Sequence, residues 1–356
     1  MTDFHSLALP LLRLLPPEAA HTVSIRGLKW GLGPKDRTPD DPVLATSVWG
    51  LDFRNPIGLS AGFDKGAEVP DAMLAAGFGF VEAGTVTPLP QPGNPKPRVF
   101  RLSDDRAVIN RLSFNGTGLA PYVGRISRRG KGLGPFGANI GKNKATEDGA
   151  SDYEICVEAV APYVDYLVAN VSSPNTPGLR AMQGREILKD MLVRVLDARA
   201  RAVPDAAERP PLIVKIAPDL DDAERADIAA VIMETGVDGM TVANTTVQRP
   251  DHMTDRQTQE AGGMSGAPLY PIALQIVGDM YRRTGGKVPI IGCGGVASGA
   301  DAYAMIRAGA SLIQLYSALV YYGPALIPRI KQELAALLKQ DGFAHISDAV
   351  GVDSKL

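Results

Sequence analysis

Disulfide and metal-binding patterns are missing from this chain of 356 residues. Its two cysteines, Cys156 and Cys293, are too far apart in sequence to form a CxxC pair. Its four histidines are scattered without HxH or HExxH spacing, so we expect no metal site. Two free thiols suit a reducing compartment.

Long runs of charged or apolar residues are also missing. The 37 Lys and Arg residues nearly balance 39 Asp and Glu residues without a long basic run, so we expect no nucleic-acid partner. No apolar run reaches the roughly 18 residues of a transmembrane helix, and the N-terminus does not resemble a secretory signal. The 45% hydrophobic and 21% charged residues are typical of a globular protein.

The first forty residues predict two short helices separated by Pro16 and Pro17. Leucines dominate the first helix, which Pro10 is expected to kink or shorten, while Pro17 and Glu18 suit the first turn of the second. Residues 1–35 carry four basic and two acidic side chains. Such helices suit a membrane interface, and they also suit a hairpin packed on the core.

From residue 56 onward, short apolar segments alternate with helical ones. The candidate strands are 56–61, 80–85, 135–140, 165–171, 212–216, 238–243, 288–292 and 311–315. The candidate helices lie near 67–76, 151–162, 185–202, 221–235, 270–284, 299–309 and 323–340. Eight apolar strands alternating with helices are typical of a closed parallel barrel. We therefore predict an α/β fold, a (β/α)8 TIM barrel over residues 41–356, with an N-terminal two-helix extension over residues 1–40.

Two connections are too long for simple turns. Residues 86–134 follow the second predicted strand and residues 244–268 follow the sixth, at the end of the barrel where such enzymes hold their chemistry. Residues 46–55 alternate in polarity and contain Gly50, which predicts a hairpin covering the barrel floor.

Polar side chains collect at the predicted strand ends. Asn139, Asn170 and Asn244 follow or end strands, where asparagine is disfavoured. A buried carboxamide needs partners and offers both a donor and an acceptor, so the group predicts a planar ligand with imide or ureide groups. Lys65 and Lys215 would be costly inside a barrel unless they meet anionic groups.

A phosphate site is predicted after the last two strands. Gly292, Gly294 and Gly295 follow strand seven, and Tyr316 and Ser317 follow strand eight, where barrel enzymes often bind phosphate. No histidine or carboxylate pair lies at these strand ends, which leaves Ser, Lys, Tyr or Cys for acid–base chemistry. The barrel alone also leaves open a phosphosugar isomerase or aldolase that uses Lys215 as a Schiff-base lysine.

The motifs at the strand ends match one enzyme family. In chain order they are AGFDK (61–65), PRVFRL (97–102), INRLSFN (109–115), GANIGKN (137–143), NVSSPNTPGLR (170–180), KIAPD (215–219), ANTT (243–246), GGMSG (262–266), GCGG (292–295) and LYS (315–317). With these motifs in this order, nearly the whole chain resembles the class 2, quinone-dependent dihydroorotate dehydrogenases.

The resemblance implies oxidation of (S)-dihydroorotate to orotate in pyrimidine biosynthesis. One FMN per chain would accept the hydride, and a membrane quinone, ubiquinone or menaquinone, would be the final electron acceptor. The family pattern implies Ser173 as catalytic base, with Lys65 and Lys215 as further catalytic residues. The soluble class 1 enzymes, in contrast, use a cysteine at the Ser173 position.

The resemblance also assigns binding residues. The implied FMN contacts are Ala61, Gly62, Phe63, Asp64, Lys65, Thr85, Asn139, Asn170, Lys215, Ala243, Gly266, Gly295, Tyr316 and Ser317. The implied substrate contacts are Lys65, Asn110, Arg111, Leu112, Ser113, Phe114, Asn170, Asn175, Asn244 and Thr245. The N-terminal helices would form a lid over a quinone tunnel lined by His21 and Arg101. We further expect a monomer, attached peripherally to the cytoplasmic side of a bacterial inner membrane.

Three positions depart from the family pattern. Ala243 stands where a serine or threonine is expected, which predicts the loss of one cofactor hydrogen bond. Leu112 and Ser113 replace a pair that usually ends in glycine. Cys293 stands where many relatives have valine, and we interpret it as a packing residue.

Overall fold

The computed structural model describes residues 4–130 and 132–354. The helices are α1 (Phe4–Leu14), α2 (Pro17–Lys29), α3 (Pro70–Ala75), α4 (Leu119–Arg129), α5 (Gly149–Val160), α6 (Arg185–Ala202), α7 (Asp222–Thr235), α8 (Tyr270–Arg283), α9 (Gly299–Ala308), α10 (Ala318–Tyr322) and α11 (Leu326–Gln340). The strands are β1 (Thr46–Val48), β2 (Leu51–Phe53), β3 (Ile57–Leu59), β4 (Phe80–Val86), β5 (Val99–Leu102), β6 (Ala107–Asn110), β7 (Phe136–Ile140), β8 (Tyr166–Asn170), β9 (Leu212–Ile216), β10 (Gly239–Val242), β11 (Gly263–Gly266), β12 (Ile290–Cys293) and β13 (Ala310–Leu315).

Eight parallel strands close into a barrel in the order β3, β4, β7, β8, β9, β10, β12 and β13. Every residue of β7, β8 and β9 is buried, because helices cover the outside and side chains fill the interior. In the strand registers Gly84 lies opposite Asn139, and Asn170 lies opposite Lys215. The polar strand ends therefore meet at one end of the barrel, and the predicted (β/α)8 fold is confirmed.

Local chemistry sets the ends of several barrel helices. Asp221 caps α7 by accepting a hydrogen bond from the Glu224 N–H, and the Glu224 side chain accepts one from the Asp221 N–H. Gly236, with a φ of 72°, ends the same helix in the left-handed conformation. The Ser298 hydroxyl caps α9 in a similar way. These signals explain why the predicted helix bounds lie close to the observed ones.

The hairpin of β1 and β2 covers the barrel floor, as predicted. Phe53 packs edge-on against Phe80 of β4 with ring centroids 5.3 Å apart, and both belong to an apolar cluster inside the lower barrel. The Trp49 indole N–H donates to the Asp238 carbonyl at 2.7 Å. The floor is therefore filled by apolar side chains, which leaves the opposite end for ligands.

The two long connections pair with each other above the barrel mouth. Strands β5 and β6 come from the first connection and β11 from the second, and they form an antiparallel sheet in the order β11, β6, β5, which we call the roof sheet. Asn110 lies opposite Gly263 in this sheet. The sequence predicted long functional loops here but neither the roof sheet nor the amphipathic helix α4.

Helices α1 and α2 lie beside the roof sheet and the barrel mouth. Helix α1 continues past Pro10 to Leu14, so Pro10 does not end it. Helix α2 contains no buried residue. No helix in the described part of the chain is both long and apolar enough to cross a membrane.

The segment after α2 is fastened to the barrel by an internal ion cluster. The Lys331 ammonium on α11 binds the Asp36 carboxylate at 2.8 Å and also binds Asp40. The three side chains are only 7–8% exposed. The ion cluster therefore joins Asp36 and Asp40 to α11.

Candidate active site

One cavity of about 1200 Å³ extends from the barrel mouth to α1 and α2. Its wall contains most of the predicted site residues: Ala61, Gly62, Phe63, Asp64, Lys65, Thr85, Asn110, Leu112, Ser113, Phe114, Asn170, Ser173, Asn175, Lys215, Ala243, Asn244, Thr245, Gly266, Gly295, Tyr316 and Ser317. His21 and Arg101 line the same cavity. The structure thus brings together residues that are spread over three hundred positions of sequence.

A chain of three carboxamides crosses the cavity floor. Asn170 Nδ2 donates to Asn139 Oδ1 at 3.1 Å and to the Thr85 hydroxyl at 3.0 Å. Asn244 Nδ2 donates to Asn170 Oδ1 at 3.2 Å and to the Ser172 hydroxyl at 2.9 Å. Asn139 lies beneath the other two and is fully buried. These contacts hold the amides in one orientation, which suits recognition of a planar ligand.

A second pair of carboxamides lies under the roof sheet. Asn175 Nδ2 donates to Asn110 Oδ1 at 3.3 Å, which joins the loop after β8 to β6. Nearby, the Lys65 ammonium donates to Asn115 Oδ1 at 3.0 Å. Burial, reinforced by the Arg98 charge and opposed by Glu18, lowers the pKa of Lys65 to about 8.

Lys215 projects from β9 into the barrel mouth and is 4% exposed. Its ammonium donates to the Ser60 hydroxyl at 3.2 Å, and that hydroxyl lies 3.6 Å from the Cys293 thiol. The Ala243 N–H donates to the Cys293 carbonyl at 2.7 Å, and Ala243 offers no side-chain donor to the cavity. Ser60 was not among the predicted site residues, because its position at a strand end is its only signal in the sequence.

The loops after β12 and β13 present free backbone donors. Within residues 4–130 and 132–354, the N–H groups of Gly294, Gly295 and Ser317 donate to no other residue. The Ser317 hydroxyl lies 2.7 Å from that of Ser265 in the roof sheet. Gly295 has a φ of 75°, a conformation that favours glycine. These groups can bind the oxygens of a phosphate.

Ser173 lies in the loop after β8 and is 7% exposed. Its hydroxyl oxygen accepts a hydrogen bond from the Asn175 N–H at 3.3 Å, which fixes its position in the cavity wall. Across the cavity, Ser113 and Phe114 adopt left-handed φ angles of 60° and 50°. The Ser113 hydroxyl lies 3.4 Å from that of Thr176. The loop that carries Leu112 and Ser113 therefore takes an unusual backbone conformation without glycine.

The outer part of the cavity is bounded by α1 and α2. His21 Nε2 lies 2.7 Å from the Phe63 carbonyl oxygen, and the His21 ring packs edge-on against that of Phe63 at 5.7 Å. Burial and the Lys65 charge lower the pKa of His21. The Arg101 guanidinium donates to the Arg13 carbonyl at 2.6 Å and so joins the roof sheet to α1.

The structure does not bring every predicted side chain to the cavity. Arg111 points away from it: its guanidinium binds Glu260 at 2.7 Å and stacks over the Phe100 ring at 4.5 Å. Asn139 lies below the cavity and supports its wall by accepting hydrogen bonds from Asn170 and Thr85. Sequence reasoning also missed Glu82, a carboxylate inside the barrel beneath Asn139, although a charged residue in an apolar strand was a visible signal.

Comparisons with known proteins agree with this geometry. The sequence model of the family described as dihydroorotate dehydrogenase matches residues 43–338. The dihydroorotate dehydrogenase (quinone) of Azorhizobium caulinodans is 58% identical over 353 residues, covering 99% of each chain. The mitochondrial dihydroorotate dehydrogenase (quinone) of Oryza sativa is 48% identical, covering 97% of this chain and 79% of the rice protein. The crystal structure of ligand-free DHODH from Eimeria tenella is 44% identical with a TM-score of 0.92, covering 96% of this chain and 100% of that chain. Together with the carboxamide-lined barrel mouth, these matches show that the chain belongs to the dihydroorotate dehydrogenase family, in its quinone-dependent class.

Proposed function

We propose that this chain oxidises (S)-dihydroorotate to orotate with one bound FMN and delivers the electrons to a membrane quinone. The observation that carries the proposal is that Asn170 and Asn244 line one cavity with Ser173, while Asn139 supports Asn170 from below. Orotate and dihydroorotate are planar or nearly planar rings with imide groups and one carboxylate. Fixed carboxamides match the ring, and a nearby ammonium matches the carboxylate.

The residues present fit FMN. The free N–H groups of Gly294, Gly295 and Ser317 offer donors for its phosphate. Lys215 has three donors and in the described residues gives one to Ser60, so further donors remain for the flavin ring. When bound, FMN supplies the hydride acceptor that dihydroorotate oxidation needs and is then reoxidised by quinone. Ala243 contributes no hydroxyl to this site.

The chain's own residues orient the substrate and move a proton. Lys65 places the substrate carboxylate, and Asn170 and Asn244 hold the ring against rotation, which lowers the entropic part of the barrier. Ser173 Oγ receives the proton from the substrate carbon while its own proton passes to solvent. A serine is a weak base, so its fixed position beside Asn175 is essential to this role.

The quinone is proposed to enter between α1 and α2. The cavity continues from the mouth to these helices, where His21 and Arg101 line it. The helices and the turn after them expose large apolar side chains to solvent: Leu11, Leu14, Leu15, Val23, Trp30 and Leu32. Such side chains support peripheral contact with a membrane. We propose that this membrane is the bacterial inner membrane, contacted from its cytoplasmic side, and that it is the source of ubiquinone or menaquinone. The monomeric state and the division at residue 40 stay predictions.

Anaerobic titration of the purified protein with dihydroorotate tests the proposal. The yellow flavin absorbance is expected to bleach in proportion to the substrate added, up to one flavin per chain, and to return on addition of a short-chain quinone. A colourless protein that is trapped by borohydride at Lys215 in the presence of a phosphosugar would contradict the proposal and favour the aldolase.

A further inference from the structure

Glu82 is a charged side chain inside the barrel that the proposed reaction does not use. It lies on β4, a strand of seven buried residues, and is itself 0% exposed. Moving a carboxylate into such an interior costs several kcal/mol unless hydrogen bonds offset the loss of water. Within the described residues it forms no ion pair, so its hydrogen bonds determine what it does.

Both of these hydrogen bonds come from carboxamides. Asn139 Nδ2 donates to Glu82 Oε1 at 2.8 Å, and Gln314 Nε2 donates to Glu82 Oε2 at 2.6 Å. Carboxylate oxygens accept hydrogen bonds and cannot donate them. Asn139 must therefore turn its NH₂ group down towards Glu82, and its oxygen must point up towards the cavity.

This orientation passes from one carboxamide to the next. Because Asn139 presents its oxygen to the cavity, Asn170 must donate from its NH₂ group. The distance from Asn170 Nδ2 to Asn139 Oδ1 is 3.1 Å. Asn170 then turns its own oxygen towards Asn244, which donates through Nδ2 at 3.2 Å. Starting from Glu82, the donor and acceptor ends of three carboxamides are determined in sequence.

We propose that Glu82 is a positioning residue that sets the direction of the carboxamide chain and thereby the pattern of donors and acceptors offered to the substrate. The inference rests on the proposed function, in which Asn170 and Asn244 hold the dihydroorotate ring. An imide ring alternates donors and acceptors along its edge. An amide turned by 180° therefore places donor against donor and weakens binding.

Two substitutions separate the acceptor role from the charge. Glu82→Gln removes the charge but keeps an acceptor oxygen for Asn139. Within residues 4–130 and 132–354, Gln314 Oε1 has no hydrogen-bond partner, so a turned Gln314 amide can accept from the new NH₂ group. Glu82→Met keeps the length of the side chain but offers Asn139 no comparable acceptor.

The measurement is orotate affinity of flavin-saturated enzyme, followed through the flavin absorbance. Glu82→Gln is expected to bind orotate within about threefold of the unchanged enzyme, and Glu82→Met at least about tenfold more weakly. Thr241→Val is the matched control, because Thr241 is equally buried in the barrel and its hydroxyl has no hydrogen-bond partner among the described residues. It should leave orotate affinity unchanged.

Several outcomes would overturn the inference. If the Glu82→Met enzyme binds orotate as tightly as the unchanged enzyme, Asn139 needs no acceptor at residue 82. If the Glu82→Gln enzyme binds orotate as weakly as the Glu82→Met enzyme, the charge of Glu82 determines the affinity instead of its acceptor oxygen. If the Glu82→Met enzyme has a lower melting temperature but unchanged orotate affinity, Glu82 has a purely structural role. An unchanged enzyme that binds no orotate contradicts the proposed function itself, which is a different failure.

A second pair of variants keeps the test valid where Glu82→Met does not fold. Asn139→Asp sets one carboxylate against another and is expected to weaken orotate binding at least about tenfold. Adding Glu82→Gln gives the new aspartate a donor below it, while Asn170 still donates from above. The double variant is expected to regain most of the lost affinity. A double variant as weak as Asn139→Asp alone would refute the direct contact.

Discussion

The barrel and the N-terminal helices are held in place by different interactions. Strands β7, β8 and β9 are wholly buried, whereas α2 has no buried residue. Helix α2 is attached by two partly buried apolar side chains, Ile25 and Leu28, and by polar contacts. Among the polar contacts are the ion pairs of Glu18 with Arg98 at 3.0 Å and of Lys29 with Glu68 at 2.6 Å. Apolar burial stabilises by about 25 cal/mol per Å², while partly exposed ion pairs contribute roughly 0–1 kcal/mol each.

This difference separates the two halves of the reaction. The proposed substrate-binding residues lie at the mouth of the barrel, where reacting groups must be held within fractions of an ångström. The quinone side is bounded by α1 and α2, and α2 contributes no fully buried residue to the core. Changes in the barrel should therefore affect every electron acceptor, and changes in the helices should affect quinone alone.

Among changes in the barrel, Ser173→Ala should have the largest effect on turnover. Loss of the base is expected to lower dihydroorotate-dependent turnover by about 10²–10⁴-fold with quinone and with a soluble dye alike. Flavin content should be unchanged, because Ser173 is not among the predicted FMN contacts. Ser47→Ala, on the exposed edge of the floor hairpin, is the control. Turnover within twofold of normal would remove Ser173 from its assigned role.

Deletion of residues 1–33 should have the next largest effect, confined to the helices. Quinone-dependent turnover is expected to fall at least about tenfold, because quinone binding loses one wall of the cavity, while dye-dependent turnover stays within about twofold. The cut leaves Asp36 and Asp40 in place to pair with Lys331. Equal losses with both acceptors would show that the barrel depends on these helices.

The pH dependence of substrate binding should sharpen the barrel side of the comparison. Burial lowers the pKa of Lys65 to about 8, so its ammonium is lost as the pH rises above that value. The KM for dihydroorotate is expected to rise up to about tenfold per pH unit there. Lys65→Arg, whose guanidinium stays charged, should bind less well but without this rise. If the rise in KM persists in the Lys65→Arg enzyme, it does not come from deprotonation of Lys65.

The smallest expected effect concerns His21. Burial and the Lys65 charge lower its pKa below 6.5, so the docked helix binds fewer protons than the free one. Docking is thus fully favourable above pH 6.5 and weakens as the pH falls from 6.5 towards the lowered pKa. The KM for quinone should rise about two- to fivefold between pH 7.5 and 5.5, and His21→Gln should show no such rise. A flat profile in the unchanged enzyme would contradict this.

Sequence reasoning succeeded where local patterns decide the structure. The predicted strand 212–216 coincides with β9, because a buried parallel strand is apolar throughout. The pairing of β6 with β11 in the roof sheet was missed because it joins segments about 150 residues apart, which no local pattern shows. Arg111 was assigned to the substrate with its neighbour Asn110, but successive side chains along an extended segment point to opposite sides. Glu82 was missed because its partners come from other strands.

The pairing of β6 with β11 has a consequence for engineering the enzyme. The two long connections meet as a single antiparallel sheet, with Met264 opposite Ile109. A graft that exchanges residues 86–118 alone would leave β11 beside an unmatched edge. The two segments thus form one structural unit, and a graft of the roof sheet from a relative should move both together.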